Sequence, residues 1–164
     1  RLAAAFGAAA AYDQHGAIQR AVAQELARRI AALPLGAAPR ALDVGCGTGF
    51  LGEALMPLVP QARWVMSDLA PPMLDRARAR LGEGPLYHAM DGEFPDLDGP
   101  FDLIASSLVF QWFGDLATAV ARYRAILAPD GWLGFTTLAQ GSFAQWRAAH
   151  GDLPNDDPVH RRFR

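Results

Sequence analysis

Three glycines at alternate positions close the run Ala41-Leu42-Asp43-Val44-Gly45-Cys46-Gly47-Thr48-Gly49, and Asp68 ends the next apolar run, 23 residues after Gly45. Glycine lets a backbone pass close to a ligand that any side chain would push away, so this loop offers bare amides to a bound molecule. A carboxylate at the end of a second parallel strand is placed to accept hydrogen bonds from ribose hydroxyls. The spacing predicts a site for a nucleoside cofactor with a free ribose diol.

Two glycine patterns overlap in this loop. Gly45-x-Gly47-x-Gly49 preceded by Asp43 is the arrangement of class I S-adenosylmethionine (SAM) methyltransferases, whereas Gly47-Thr48-Gly49-Phe50-Leu51-Gly52 also satisfies the dinucleotide pattern G-x-G-x-x-G. In a dinucleotide site the first glycine directly follows the strand, but Gly47 lies two residues beyond Gly45 and leaves Asp43 unexplained. A carboxylate also sits badly beside a pyrophosphate, because like charges repel where a helix N-terminus should receive the anion. SAM carries a sulfonium and an ammonium group and no phosphate. Asp43 therefore favours SAM over a nicotinamide dinucleotide.

Composition narrows the class further. The 164 residues are 51% hydrophobic, enough for one buried core, and no apolar run reaches the roughly 20 residues of a membrane-spanning helix. A soluble, cytoplasmic protein is expected, with no membrane partner. Cys46 is the single cysteine, so no internal disulfide and no metal cluster is expected, and it reads as a small residue fitting the loop. A net charge of −2 argues against a nucleic-acid partner. All 15 basic side chains are Arg, which read mainly as solvated helix faces.

Residues 2–11 and 16–32 read as alanine-rich helices on either side of Tyr12-Asp13-Gln14-His15, the second with Ile18, Val22, Leu26, Ile30 and Leu33 at helical spacing. After Pro34 and Gly36 the period changes. Strands are expected at 40–44, 63–67, 86–89, 101–106 and 131–137, and helices at 50–58, 72–81 and 115–127, the last capped by Asp115. This βα alternation predicts one α/β domain over 1–164: a Rossmann-like, three-layer sheet over 38–140, an N-terminal helical lid over 1–33, and the start of a further portion over 141–164.

In such a sheet the site lies at the carboxyl ends of the strands. Those ends carry Gly45 to Gly49, then Asp68-Leu69, then Met90-Asp91-Gly92, then Ser106 to Trp112. Asp91 is a candidate acceptor for an adenine amino group, with Leu69 and Met90 as apolar walls; its alternative role is to cap the turn before Gly92. Ser106, Ser107, Leu108, Gln111 and Trp112 face the methyl-donor end, although Trp112 and Phe113 equally suit the core. The candidate cofactor contacts are thus Asp43, Gly45, Cys46, Gly47, Gly49, Asp68, Leu69, Met73, Met90, Asp91, Gly92, Ser106 and Ser107.

Several segments together resemble one family. They are Ala4-Ala5-Phe6 with Tyr12, Gln14 and His15; the loop from Asp43 to Gly49; Asp68-Leu69-Ala70-Pro71-Pro72-Met73-Leu74; Ser107-Leu108 with Gln111-Trp112; Leu127-x-Pro129-x-Gly131; and Phe135-Thr136-Thr137-Leu138-x-Gln140-Gly141-Ser142. They resemble the malonyl-acyl-carrier-protein O-methyltransferases of biotin synthesis, the BioC family, over almost the whole chain. The glycine loop and Asp68 mark only the SAM-dependent class, whereas the first and last segments carry the substrate assignment. The resemblance also implies an antiparallel pair of strands after the fifth. The chain stops at His160-Arg161-Arg162-Phe163-Arg164 before any such pair, so strands 6 and 7 are expected to be missing from it.

The resemblance implies methyl transfer from SAM to the free carboxylate of malonyl-acyl-carrier protein or malonyl-CoA, giving a methyl ester and S-adenosylhomocysteine (SAH). A carboxylate is already ionised at neutral pH, so no general base is expected. Tyr12 and His15 on the lid and Gln111 and Trp112 on the acceptor side are the expected positioning residues. A monomer is expected. The other readings are a methyltransferase of another small acceptor, a methyltransferase-fold assembly factor or binding module, and a nicotinamide oxidoreductase.

Overall fold

The computed structural model describes residues 16–139 and Ser142, so the first expected helix, Tyr12, His15 and the segment beyond residue 142 lie outside the described residues. Helix α1 (Ala17–Ile30) precedes strand β1 (Arg40–Val44). Then follow α2 (Phe50–Leu55), β2 (Arg63–Asp68), α3 (Pro71–Leu81), β3 (Leu86–Ala89), β4 (Phe101–Ser107), α4 (Leu116–Ile126) and β5 (Leu127–Thr136), with short 3₁₀ turns at Met56–Leu58 and Phe110–Trp112. The five strands form one parallel sheet in the order β3-β2-β1-β4-β5. The chain winds outward from β1 to β3 and then returns to β4 on the other side of β1. That reversal opens a crevice at the carboxyl ends of β1 and β4, where open α/β sheets receive their ligands.

Side chains alternate across the strands, and each strand therefore feeds two cores. Ala41, Trp64, Met66, Leu103 and Ala105 face α1, α2 and α3, meeting Leu26, Ile30, Leu51, Leu55 and Leu74. Leu42, Val44, Val65 and Ile104 face the other way, toward Phe110 of the second 3₁₀ turn and Tyr123 of α4. The result is a three-layer α/β sandwich of Rossmann type, as the strand and helix alternation predicts.

Three boundaries differ from expectation for physical reasons. The helix expected over 50–58 stops as an α-helix at Leu55, because Pro57 has no N–H to continue the ladder, and the next turn is 3₁₀. Helix α4 ends at Ile126, and Leu127 is already extended (φ −75°, ψ 146°). Strand β5 therefore begins at Leu127 rather than Gly131. It pairs Leu127 with Phe101 and then resumes with Trp132 opposite Leu103, so Ala128 to Gly131 form an irregularity. Here β5 steps away from the ladder at Pro129, which has no N–H to pair.

The apolar stripe of α1 is also rotated from the expected one. Ile18 is 71% exposed, while Ala23, Leu26, Ala27 and Ile30 are buried. Alanines at Ala23 and Ala27 let α1 approach its neighbours closely, so the small residues take the packed face. At α4, Asp115 caps the helix as expected, its Oδ1 accepting from the Thr118 amide at 3.0 Å.

Tyr123 of α4 ties the helix to the end of β3. It is fully buried, its ring stacks on Phe110 at 5.8 Å between centroids, and its hydroxyl donates to the Gly92 carbonyl. Burial, with the nearby Asp91 charge, holds the phenol well above its ordinary pKa, so it stays a donor. Replacing it by Phe removes one hydrogen bond without leaving a large cavity. Tyr123→Phe is expected to lose about 1–2 kcal/mol in urea unfolding at unchanged m value.

Candidate functional site

The loop between β1 and α2 is built by three left-handed glycines: Gly45, Gly47 and Gly49 have φ of 65°, 55° and 91°. At Gly45 the reason is double, since a Cβ there would lie 2.5 Å from a Val109 methyl as well as adopt an unfavourable φ. At Gly47 a Cβ would meet nothing within 4 Å, so it is the left-handed φ rather than crowding that calls for glycine there. The loop is held from below. The Cys46 amide donates to the Ser67 carbonyl at 2.8 Å, the Gly47 amide to Asp68 Oδ2 at 2.9 Å, and the Ser67 hydroxyl to the Asp43 carbonyl at 3.1 Å.

The two carboxylates of the motif have different environments. Asp68 accepts from the backbone amides of Gly47 and Ala70, the latter at 2.8 Å to Oδ1, and so fixes the loop against the start of α3. Burial raises its pKa, while those backbone donors oppose the rise. Asp43 lies on the sheet face that α1 covers and is 1% exposed, and neither of its oxygens has a hydrogen-bond partner. Burial, reinforced by the Asp68 charge, pushes its pKa up to about 8. An isolated carboxylate in such a place is costly and stays protonated until a cation arrives.

Asp43 borders a cavity of about 40 Å³ whose walls include Gln19 and Ala23 of α1, Gly45 to Thr48 of the loop, and Ser107 of β4. Gln19 Oε1 is likewise buried without a partner. Neither Gln19 nor Thr48 is among the candidates read from the sequence. The signal for Gln19 was present, because it lies four residues before Ala23 and eight before Ala27, a polar side chain on the buried stripe of α1. Thr48 is buried and accepts from Arg80 Nη1 at 3.1 Å. Arg80 and Arg20 both stack on Phe50, with guanidinium carbons 4.5 and 4.3 Å from the ring centroid, and both pair with Glu53. The glycine loop, α1 and α3 are thereby joined through one ring.

The remaining candidates occupy the same edge in different states. Leu69 is 46% exposed beside Asp68, whereas Met73 and Met90 are buried. Asp91 accepts from the Glu93 amide at 3.0 Å, which makes it part of the turn at Gly92. Ser106 is fully buried, and its hydroxyl donates to the Val44 carbonyl across the sheet at 2.8 Å. Ser107 is half-buried and lines the cavity with Asp43. Cys46 is buried, and desolvation keeps its thiol protonated well above the ordinary range.

Beyond β4 the backbone is strained. Leu108 has a φ of 57°, unusual for a bulky residue, and is held there from both sides. Its amide donates to the Thr136 carbonyl at 3.0 Å and its carbonyl accepts from Gln111 Nε2 at 2.6 Å. Gln111 Oε1 in turn accepts from Thr137 at 3.3 Å. Gln111 thus braces this turn with both ends of its amide. Trp112 is half-buried on the same 3₁₀ turn, and Phe113 packs on Phe110 at 4.7 Å in the core behind it.

A crevice at the β1/β4 reversal, a loop of left-handed glycines, and a buried acid lacking a partner suit a nucleoside ligand with a cationic end. Residues 42–133 match the family described as a methyltransferase domain. The chain belongs to that methyltransferase family. A relative 52% identical over 147 residues is the biotin biosynthesis bifunctional protein BioCD of Bordetella avium, covering 89% of this chain and 32% of the relative. The malonyl-[acyl-carrier protein] O-methyltransferase of Magnetococcus marinus is 41% identical, covering 87% of this chain and 54% of the relative. Among solved structures, SAM-bound CalS10, an amino pentose methyltransferase from Micromonospora echinaspora, superposes with a TM-score of 0.64 at 34% identity, over 81% of this chain and 56% of that one. This methyltransferase chain thus spans about a third to a half of the length of the curated relatives it matches.

Two substitutions test the site. Gly45→Ala forces Val109 to move and strains the loop, and is expected to weaken nucleoside binding at least tenfold in calorimetry. For Asp43 the sign follows from its raised pKa. The folded state holds a proton that the unfolded chain gives up near pH 4, so this group's contribution to stability falls as pH rises from about 4 to about 8. Relative to wild type, Asp43→Asn is expected to gain stability across that window, by up to about 1.4 kcal/mol per pH unit in ligand-free urea unfolding.

Proposed function

We propose that this chain is the cofactor-binding part of a SAM-dependent O-methyltransferase that esterifies the free carboxylate of a malonyl thioester, carried on acyl-carrier protein or CoA, in biotin synthesis. The single observation that carries the cofactor assignment is the buried Asp43 carboxylate with no partner beside a glycine loop. Such a group repels a phosphate and favours a cation, which a nicotinamide dinucleotide does not offer there. The acceptor assignment is supported by the printed activities of the Bordetella and Magnetococcus relatives. Tyr12 and His15, with the segment from Phe135 to Ser142, complete the family pattern in the sequence.

When bound, SAM supplies an electrophilic methyl group on a sulfonium. The residues of the chain then have three tasks. The glycine loop and the carboxylate of Asp68 receive the nucleoside, Asp68 toward the ribose diol. Leu69 and Met90 form apolar walls, and burial at Met73 keeps water from the base of the site. The braced turn from Leu108 to Trp112 forms the acceptor side, and Tyr12 and His15 are proposed from the sequence as further positioning residues. The attacking carboxylate is ionised without help, and its reaction with a sulfonium merges opposite charges, so alignment and exclusion of water accelerate it while a general base does not.

A second reading has its own support, because CalS10 shares the fold at 34% identity yet acts on an amino pentose. Under that reading this chain methylates a different small acceptor with the same cofactor residues. The decisive experiment uses the full-length protein containing this chain. SAM is expected to raise its Tm while NAD leaves it unchanged, and labelled methyl is expected to reach malonyl thioester as a base-labile ester. Stabilisation by NAD alone overturns the cofactor assignment, and labelling of other acceptors only overturns the substrate.

A further inference from the structure

The sheet has a second concavity, at the end away from the glycine loop. A cavity of about 530 Å³ lies where the amino ends of β1, β2 and β3 meet, and Arg40, Met56, Arg63, Trp64, Pro85 and Leu86 are among its walls. That volume is in the range of small-molecule sites. The chain from Arg63 to Asp68 separates it from the cofactor crevice by roughly 16 Å along β2, and no residue borders both this cavity and the one beside Asp43.

The polar side chains on these walls are all donors. Arg40 and Arg63 are register partners at the start of β1 and β2, so two like charges stand side by side. Arg40 Nη1 donates to the carbonyls of Asp98 and Pro100 at 2.7 and 3.3 Å, and its guanidinium lies 4.1 Å from the Phe101 ring centroid. These contacts hold the group in place without neutralising it. Arg63 is exposed and forms no ion pair among the described residues. The third donor is Trp64, which is 6% exposed and whose Nε1–H is buried without an acceptor, a costly arrangement unless something fills it. No carboxylate lines the cavity. Two acids close by are engaged elsewhere, Asp102 Oδ2 accepting from the Arg40 amide at 2.7 Å and Glu83 meeting Arg78 at 3.4 Å.

We propose that this cavity is a second ligand site, for a small organic acid with an apolar body, a fatty or aromatic carboxylate: the body packs on Met56, Trp64, Pro85 and Leu86, and the carboxylate is received by Arg63 and Arg40 with the Trp64 N–H as a further donor. An anion between the paired guanidiniums turns their repulsion into attraction. Leu86, 71% exposed at the rim, gains an apolar neighbour. Met56 is the adaptable wall, because it packs against the same cluster as Trp64 and its unbranched side chain can shift to admit an acceptor to the indole. Inorganic phosphate leaves the apolar walls wet, and an uncharged apolar molecule leaves the guanidiniums unmet. The inference stands apart from the SAM assignment, since the site is at the opposite end of the sheet.

The test is an NMR titration of the full-length protein containing this chain, isotope-labelled at the tryptophan indole nitrogens, with the Trp64 signal assigned by its loss in Trp64→Phe. Octanoate is expected to move the Trp64 Nε1–H resonance saturably, with a midpoint below about 1 mM and the same with or without SAM present. Octanol, with a like body and no charge, is expected to bind at least about tenfold more weakly, and acetate, with the charge and no body, to leave the resonance in place. Arg63→Gln, at an exposed position, is expected to weaken octanoate roughly tenfold while Tm and the response to SAM stay as in wild type, and Leu86→Glu, which sets a negative charge at the rim, to weaken it as well. Equal binding of octanol and octanoate overturns the proposal, because the cavity is then only an apolar cleft. Unchanged octanoate affinity in both variants overturns it too. A Trp64 resonance that no ligand moves does the same, since another part of the protein or a trapped water then already meets the indole. Displacement of octanoate by SAM places the acid in the cofactor crevice and also overturns the second site.

Discussion

The structure turns on a carboxylate that the fold buries and does not pair. Asp43 sits at the end of the central strand, under α1, with its side-chain oxygens facing no donor. A fold selected only for stability would place an apolar residue there, as it does at Ala41 two positions earlier on the same face. The energetic penalty is local, and a cationic ligand of the kind proposed would offset it. Function and stability oppose each other at this one residue, a common pattern where a site is held ready for charge.

Around Asp43 the backbone is over-determined. The Ser67 hydroxyl holds the Asp43 carbonyl, the Ser67 carbonyl holds the Cys46 amide, and Asp68 holds the Gly47 amide, so β2 acts as the mould for a loop that belongs to β1. Parallel pairing of Val44 with Ser67 puts these partners opposite one another. The two acids of one motif consequently differ: Asp68 is engaged by backbone amides of the loop and of the start of α3, whereas the Asp43 oxygens have no partner. On the far side, Arg80 reaches Thr48 and shares the Phe50 ring with Arg20, tying the loop to helices that begin far from it in sequence.

The turn after β4 is held as firmly by different means. Leu108 adopts a left-handed backbone, and Gln111, Thr136 and Thr137 hold it there. Behind the turn, Phe110 stacks on Phe135 with ring centroids 4.5 Å apart, joining it to β5. The proposed reaction between a carboxylate and a cationic methyl donor would ask for rigid alignment in a dry cleft rather than for proton transfer. A strained, fully braced turn at the mouth of the sheet supplies rigidity where a flexible loop would not.

Much of this molecule is written locally. Hydrophobic runs of strand length separated by amphipathic helices, the Asp115 cap and the glycine triplet with Asp68 downstream all follow from nearest-neighbour chemistry, and they determine the parallel sheet and the edge where the site lies. Local signals also misled in definite places: Pro57 converted a helix end to a 3₁₀ turn, Leu127 turned from helix to strand because β4 offered it a partner, and Ile18 lost its place on the buried stripe to Ala23 and Ala27. What the sequence alone determined was the class of ligand, because spacing along one chain fixes which amides and acids meet at a strand end. Only the tertiary structure decided that Asp43 has no partner, that Gln19 shares its cavity, and that Gln111 is occupied with Leu108. Burial and satisfaction of a polar group depend on every element packed around it, and those elements are brought together by the core rather than by their spacing in the chain.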